Sequence, residues 1–568
     1  MLKISKIKDD VVQEHDRICS TGDLKTDLFG LWDQNMVKYE DLNKQKQLGS
    51  LLSNRRVNGK LYQVYTKHPG HQCIVGSTRS GKTTGLIIPQ TLNLAQSAEK
   101  PSIIETDPKG ELYAKTAVMM RNLGYDVRLL NFRDYRYSDS YNILQSAFDL
   151  YVNKGAELKE TNFVTTKDGR RCLLYDGKIF ESITECRKFI ADEEYFHRHL
   201  AFELIHDFVV QSIKSMNQKD PFWDSASRDE IEGYIIGLLE DVDGKNPKGK
   251  VTRDNFNMAT VKMLFEDGLG KRHGSEFLRE RPDDSIAKRR AGGYLNAPDQ
   301  TRNSIESVLS SHISHFGNVV EKNISLTSTF SAEDFISQEK PAILYIIFPD
   351  EKKSGYEAIS LFIADFYSKL VRLKGQAKVP TRDVHFILDE FGNMPVIEDF
   401  DTQMSVSAGR GIYMTLVLQS YCQLEKKYPS EYGTILDNIA TTYFLSSNNY
   451  ETQQKFSRMC GTRQVLSPID VFGCSGENIE RCNFLEMPVV PVSQLSGLEE
   501  GEIYIKSSAL KYVLKTYLER YYNCPEYICD EADIEDYKST VNIHDKKYTY
   551  QYIKTAAKKS ADPFDLFG

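Results

Sequence analysis

The sequence predicts an α/β protein: a parallel or mixed twisted sheet around a phosphate-binding loop, interrupted by an inserted all-helical domain. Three observations predict it. The stretch Cys73-Ile74-Val75-Gly76-Ser77-Thr78-Arg79-Ser80-Gly81-Lys82-Thr83-Thr84 runs from an apolar strand end through a Gly-bounded loop into a helix. The stretch Val384-His385-Phe386-Ile387-Leu388 reads as a strand buried on both faces, and it ends in Asp389-Glu390. Strand and helix patterns alternate around both stretches, whereas helical periodicity dominates from about residue 145 to 325.

The first stretch has the spacing G-x-x-x-x-G-K-[ST]. Gly76 and Gly81 let the backbone curl so that N–H groups, from Ser77 to Thr84, face phosphate oxygens. The helix N-terminus adds the positive end of its dipole. Lys82 can reach the β- and γ-phosphates, and the Thr83 hydroxyl can ligate Mg²⁺. Asp389 would hold the same ion through water, and Glu390 beside it could polarise an attacking water.

The chain has 568 residues, too long for one core, so two or more domains are expected. Hydrophobic residues at 40% and charged residues at 27% describe a globular composition. No window has the ~18 uninterrupted apolar residues of a membrane helix, and no secretory leader is apparent. The ten cysteines show no C-x-x-C pair and read as reduced thiols of a cytoplasmic protein. Eighty acidic against 72 basic residues give a net charge of −8. That argues against a generally basic nucleic-acid coat and leaves room for a local basic channel.

In chain order, residues 1–60 read as a polar, mostly helical segment. Residues 61–144 form the first part of the nucleotide domain: a strand at Tyr62–Tyr65, the loop strand, then Ser102–Thr106, a helix from Asp107-Pro108-Lys109-Gly110 to Leu123 capped by Gly124, and Asp126–Leu130. Asp107 and Lys109 are expected to shape a turn rather than to catalyse. Residues 145–325 form the helical domain, with apolar stripes such as Ile231, Tyr234, Ile235, Leu238 and Leu239, and a hairpin between Thr165 and Ile179 centred on Asp168-Gly169. His312 lies on such a stripe and reads as a core or edge histidine. Lys288-Arg289-Arg290 reads as a solvated helix face. Residues 326–520 resume the sheet with Ala342–Phe348, the acidic strand, Tyr413–Leu418 ending in Gln419, Thr441–Ser447 and Glu502–Ile505. Residues 521–568 read as a polar, aromatic tail ending in a flexible Ala561–Gly568.

The order of these motifs resembles the TraG/VirD-type coupling proteins of type IV secretion and conjugation. The matching elements are His71 through Thr84; Thr106 through Leu112; Asp220-Pro221-Phe222-Trp223; Leu388 through Phe391; Gly409-Arg410-Gly411-Ile412; Gln419 with Gln423-Leu424; and Asn438 through Thr452. The resemblance implies a RecA-like P-loop motor domain, kin to FtsK and HerA translocases, that hydrolyses ATP with Mg²⁺. It implies hexameric rings that take a relaxase bound to single-stranded DNA, or protein effectors, to a type IV secretion channel. It carries phosphate and Mg²⁺ binding onto Lys82 and Thr83, Mg²⁺ support onto Asp389, water activation onto Glu390 and γ-phosphate sensing onto Gln419. Arg410 is then the candidate arginine finger offered across a subunit boundary; equally, it is a loop arginine that caps a strand. Family members usually carry membrane helices ahead of the motor domain, and none is read here. The expectation is therefore a cytoplasmic chain, peripheral at the inner face of the bacterial membrane and docked on a separate membrane partner, or a fragment. A DNA translocase not tied to secretion, and a nucleotide-regulated cargo adaptor without turnover, are the competing readings.

Overall fold

The computed structural model describes residues 19–20, 36–153, 162–165, 171–213, 222–242, 250–271, 274–349, 356–377, 379–394, 396–472, 478–538, 541, 546–548 and 550. The chain divides into two compact units. One comprises Met1–Ser138 with Ser331–Lys538; the other comprises Asp139–Phe330 with Ser539–Gly568.

The first unit is built on β1 (His71–Gly76), β2 (Ser102–Asp107), β3 (Asp126–Asn131), β4 (Ala342–Ile347), β5 (Val384–Leu388), β6 (Ile412–Leu418), β7 (Ile439–Ser446), β8 (Glu502–Ser507) and β9 (Leu514–Tyr517). With Cys19–Ser20 they form one ten-stranded sheet in the order Cys19–Ser20, β9, β8, β7, β1, β6, β5, β2, β4, β3. From β7 to β3 every pairing is parallel, whereas β8 is antiparallel to β7 and β9 to β8. Every residue of β1, β2, β4, β5 and β6 is buried. That explains the mainly apolar sequences of β4, β5 and β6, because a parallel sheet is covered on both faces. Each fully buried Ile or Leu here contributes about 1.5–3 kcal/mol, so the carboxyl ends of these strands form a stiff platform.

The antiparallel extension makes the sheet mixed. The N-terminal segment departs from the helical expectation. Met36–Lys38, Leu51–Val57 and Lys60–Tyr65 form a three-stranded antiparallel sheet, and a 3₁₀ turn at Tyr39–Lys44 is the helical element among the described residues of this segment. Asn58 and Gly59, at φ +50° and +78°, make the two-residue hairpin turn. Leu51, Leu52, Leu61 and Val64 are buried.

The polar tail is also corrected in part. Residues 521–538 pack into the first unit. Cys524 and Tyr527 are buried, and Ala532 N–H donates to the Ala114 carbonyl at 2.9 Å. The Tyr527 hydroxyl donates to Asn93 Oδ1 at 3.0 Å and accepts from Gln63 Nε2. Burial of aromatic rings with satisfied hydroxyls outweighs the polar composition that suggested a tail. Ala561–Gly568 lies outside the described residues. A long antiparallel hairpin, Thr462–Phe472 with Asn478–Pro488, was not anticipated.

The second unit is mainly helical. Its centre is the helix Phe222–Val242, with Ile231, Tyr234, Ile235, Leu238 and Leu239 buried. Helices Ile183–Ser212 and Asp299–His312 are among the others. It is not all-helical: Phe163–Thr165, Arg171–Tyr175 and Lys178–Phe180 form a small antiparallel sheet. One of its turns is Asp176-Gly177, at φ +45° and +71°; Asp168-Gly169 lies outside the described residues. His312 is buried, 3.9 Å from Asp224, as a core histidine should be. Lys288 pairs with Asp283 at 2.7 Å and Arg290 with Glu232 at 2.6 Å, so two members of that basic cluster are tied within the unit. Among the described residues, no helix is long and apolar enough to cross a membrane.

Candidate functional site

The loop leaves the carboxyl end of β1 at Gly76. Ser77 N–H donates to the Ser446 carbonyl at the end of β7 (2.7 Å), and Ser80 N–H closes a turn onto the Ser77 carbonyl (3.2 Å). Arg79 and Gly81 take φ +66° and +89°. A side chain at Gly76 would have no room, because its Cβ would meet Ser80 Oγ at 2.4 Å. After Lys82 the chain winds as one π-helical turn, Thr83–Ile87, before the α-helix Ile88–Gln96. The helix begins where the sequence predicts, with a wider first turn.

Lys82 is only 8% exposed. Its ammonium donates to the carbonyls of Gly76 (2.7 Å) and Ser77 (3.1 Å). Burial lowers its pKa, opposed by the charges of Asp389 and Glu390. The Ser80 hydroxyl is buried with no hydrogen-bond partner inside the loop. An orphaned hydroxyl and a buried ammonium within one curled backbone suit a phosphate chain, which brings acceptors for both. Thr83 opens the helix, partly exposed; Thr78 and Arg79 are exposed. Thr83 and Asp389 are the residues that would hold Mg²⁺.

The acids follow β5. The Asp389 carboxylate accepts from Glu390 N–H at 2.9 Å, and its backbone carbonyl accepts from Thr106 Oγ1 at 2.9 Å, which ties the ends of β5 and β2 together. Loss of water raises Asp389 to about 7, helped by the Glu390 charge and opposed by Lys82. Glu390 stands at φ +53°, a left-handed conformation that turns the chain sharply after the strand.

Strand β6 lies between β1 and β5, so its tip, Gln419, falls between the loop and the acids. Gln419 Nε2 donates to both carboxylate oxygens of Glu390, at 3.0 and 3.2 Å. Asn393 Nδ2 donates to Glu390 Oε2 at 2.8 Å. Gln423 closes the ring, accepting from Gln419 N–H (3.0 Å) and donating to Asn393 Oδ1 (3.3 Å). Glu390 is thus held by amide donors as a carboxylate that can accept a proton or orient a water. Asn393 carries no sequence signal, for it follows Gly392 as an ordinary turn residue would.

Asp107 turns its carboxylate onto the next helix. It accepts from Tyr113 N–H at 2.9 Å and from the N–H groups of Leu112, Glu111 and Gly110. Burial raises it to about 6 against those bonds. It shapes the turn, and Lys109 is exposed beside it. Behind the site, Glu105 is fully buried, receives the Thr91 hydroxyl and is pushed up to about 8 by burial.

Arg410 is not brought to this cluster within the chain. It is exposed, and its Nη1 donates to the Val406 carbonyl at 2.9 Å. It precedes β6, whereas the loop and Gln419 stand at carboxyl ends; a seven-residue strand separates these edges by about 20 Å. A residue with no sequence signal does reach the loop. Arg520, just beyond β9, is 5% exposed, and its Nη1 donates to the Gly81 carbonyl at 2.9 Å.

A Gly-bounded loop and helix after one parallel strand, an acidic strand end two positions away and a polar strand tip between them define the P-loop NTPase fold. The chain belongs to the type IV secretory system conjugative DNA transfer family, whose model matches residues 21–467. Two Escherichia coli proteins named conjugal transfer protein TraG are 22% and 23% identical to it over 421 residues, 72% of this chain. The chain spans 58% of the length of these curated relatives. Among solved structures, the unbound bacterial conjugative coupling protein TrwBΔN70 shares the fold at a TM-score of 0.54 and 14% identity, over 85% of this chain and 92% of that one. Plasmid coupling protein TrwB in complex with the non-hydrolysable ATP analogue ADPNP follows at 0.52 and 14%, over 85% and 93%.

Proposed function

We propose that this chain is an ATP-hydrolysing coupling protein for conjugative DNA transfer. It binds ATP with Mg²⁺, receives a relaxase on single-stranded DNA and presents it to a type IV secretion channel. The observation that carries this reading is the convergence of Lys82, Glu390 and Gln419 at the ends of three adjacent parallel strands, in a member of the conjugative transfer family. TrwB complexes with ADPNP and with ADP and Mg²⁺ support the same ligands here.

Loop N–H groups from Ser77 to Thr84 hold the phosphates, and the Lys82 ammonium leaves its two carbonyls for the β- and γ-phosphate oxygens. Thr83 and Asp389 would hold Mg²⁺, which would supply charge neutralisation to those oxygens. Glu390 orients the attacking water and takes its proton, while Gln419 and Asn393 fix the carboxylate. Gln419 can exchange its bond to Glu390 for one to the γ-phosphate, which makes it a sensor of the bound state. Arg410 acts on the site of a neighbouring subunit in a homo-hexamer; its position at the far strand edge supports a role in trans over one in its own site. The chain works at the cytoplasmic face of the membrane.

The test is capture of a purified relaxase–single-stranded DNA complex by the full chain, with ATP and Mg²⁺. Specific retention supports coupling. Retention of DNA alone, with no preference for relaxase, would favour a translocase not tied to secretion.

A further inference from the structure

The phosphate loop is gripped from outside by an arginine that no loop motif contains. Arg520 lies 439 residues beyond Gly81, after the antiparallel strand β9. Its guanidinium donates to the Gly81 carbonyl (2.9 Å), the Ser80 carbonyl (3.4 Å) and the Thr84 hydroxyl (3.4 Å). It occupies the space that side chains at Gly81 in the loop and Gly85 in the first helical turn would need. A Cβ at Gly81 would come within 1.2 Å of Nη1, and one at Gly85 within 3.0 Å. Its acidic neighbour is Glu500, at 3.5 Å and largely exposed. The buried guanidinium therefore spends its donors mainly on the loop.

The consequence follows from peptide geometry. In a planar trans peptide the C=O and the following N–H point in opposite directions. Holding the Ser80 and Gly81 carbonyls toward Arg520 turns the N–H groups of Gly81 and Lys82 away from it, to the side where phosphate is cradled. A guanidinium suits this task because its planar fork serves several acceptors at once. A lysine offers one compact ammonium to the same groups. Gly81 also accepts from Gly85 N–H at 2.8 Å, so the same carbonyl anchors the start of the helix.

We infer that Arg520 is a positioning residue for nucleotide binding: it fixes the two peptide planes around Gly81 so that their N–H groups are set for phosphate before ATP arrives. This rests on the ATP-binding reading above and extends it to the C-terminal strands. Through β9 and the turn at Glu500, the antiparallel edge of the sheet is coupled to loop geometry. The inference separates binding from chemistry, since Arg520 bonds neither Glu390 nor Gln419.

The test uses the full chain and a fluorescent ADP analogue with Mg²⁺. Arg520→Met fills the space without donors, and Arg520→Ala empties it. Both are expected to weaken nucleotide binding about tenfold or more, the size of one or two lost charge-assisted bonds. KM for ATP should rise in parallel while kcat stays within threefold. Methylguanidinium added to Arg520→Ala should restore part of the affinity, and it should do nothing for Arg520→Met, whose side chain occupies the space. Arg520→Lys should fall between. Wild-type affinity in Arg520→Met would overturn the inference, as would loss of affinity matched by an equal fall in thermal stability and no rescue of the Ala variant. Failure of the wild-type chain itself to bind nucleotide would instead overturn the ATP reading, so the two failures are told apart.

Discussion

Glu390→Gln is the sharpest perturbation of the proposed chemistry. The change keeps the size of the side chain and its φ of +53°, and it removes one negative charge and the ability to accept a proton. Three amide bonds hold the carboxylate, from Gln419 at 3.0 and 3.2 Å and from Asn393 at 2.8 Å. A glutamine with its oxygen at the Oε2 position keeps the bonds at 3.0 and 2.8 Å and loses the one at 3.2 Å, roughly 1 kcal/mol at a partly exposed position. The chemical cost is much larger. A positioned general base contributes about 10²–10⁴ in rate, or roughly 3–5.5 kcal/mol of barrier at about 1.4 kcal/mol per decade. Nucleotide affinity should move little and in the tighter direction, because a charge of the same sign as the phosphates has gone. The assay is steady-state ATP turnover beside equilibrium binding of the fluorescent ADP analogue. A fall in kcat of about two decades or more with Kd within threefold is expected. A variant that turns over normally refutes the role of Glu390; one that loses affinity and turnover together refutes the separation of base from binding site.

Further expectations concern other parts of the molecule. Glu105, fully buried and raised to about 8, stays protonated in the folded chain at pH values where the unfolded chain has released that proton. Its contribution to stability is therefore complete below the ordinary carboxylate range and declines as pH rises toward 8, by about 1.4 kcal/mol per pH unit. Urea unfolding of Glu105→Gln between pH 5 and 8 should show a slope shallower than wild type by that amount; parallel curves would contradict it. Tyr527→Phe removes a hydroxyl bonded to Gln63 and Asn93 and should cost about 1–3 kcal/mol in the same assay. No loss would mean that the hydroxyl bonds to Gln63 and Asn93 add nothing to the packing of residues 521–538. Arg410→Ala should leave nucleotide affinity intact and lower turnover steeply, up to about 10³-fold or more. Mixing it with Lys82→Ala subunits should restore part of the activity, and no recovery would count against action in trans.

The loop and the acidic strand end were legible because each is local. Gly76, Gly81, Lys82 and Thr83 fix their own geometry, and five buried residues before Asp389 fix that of β5. Gln419 was legible as a strand tip, but its bond to Glu390 depends on β6 lying between β1 and β5, which only tertiary order supplies. The N-terminal sheet was hidden because Ser53-Asn54-Arg55-Arg56 breaks the apolar pattern, although Asn58-Gly59 carried the hairpin signal. Residues 521–538 looked like a tail because a few rings, Tyr527 foremost, bury themselves among charged neighbours such as Glu526, which pairs with Arg56 at 2.6 Å. Arg520 could not be found from spacing at all, since its loop partners lie more than 430 residues away.

The most direct measurement is steady-state ATP hydrolysis by the purified chain against protein concentration, with and without single-stranded DNA, beside Lys82→Ala as control. We expect turnover that rises with DNA and steepens with concentration, and that vanishes in Lys82→Ala. A flat, negligible rate in both series, with nucleotide tightly bound, would contradict the motor and leave an adaptor whose nucleotide only fixes its assembly.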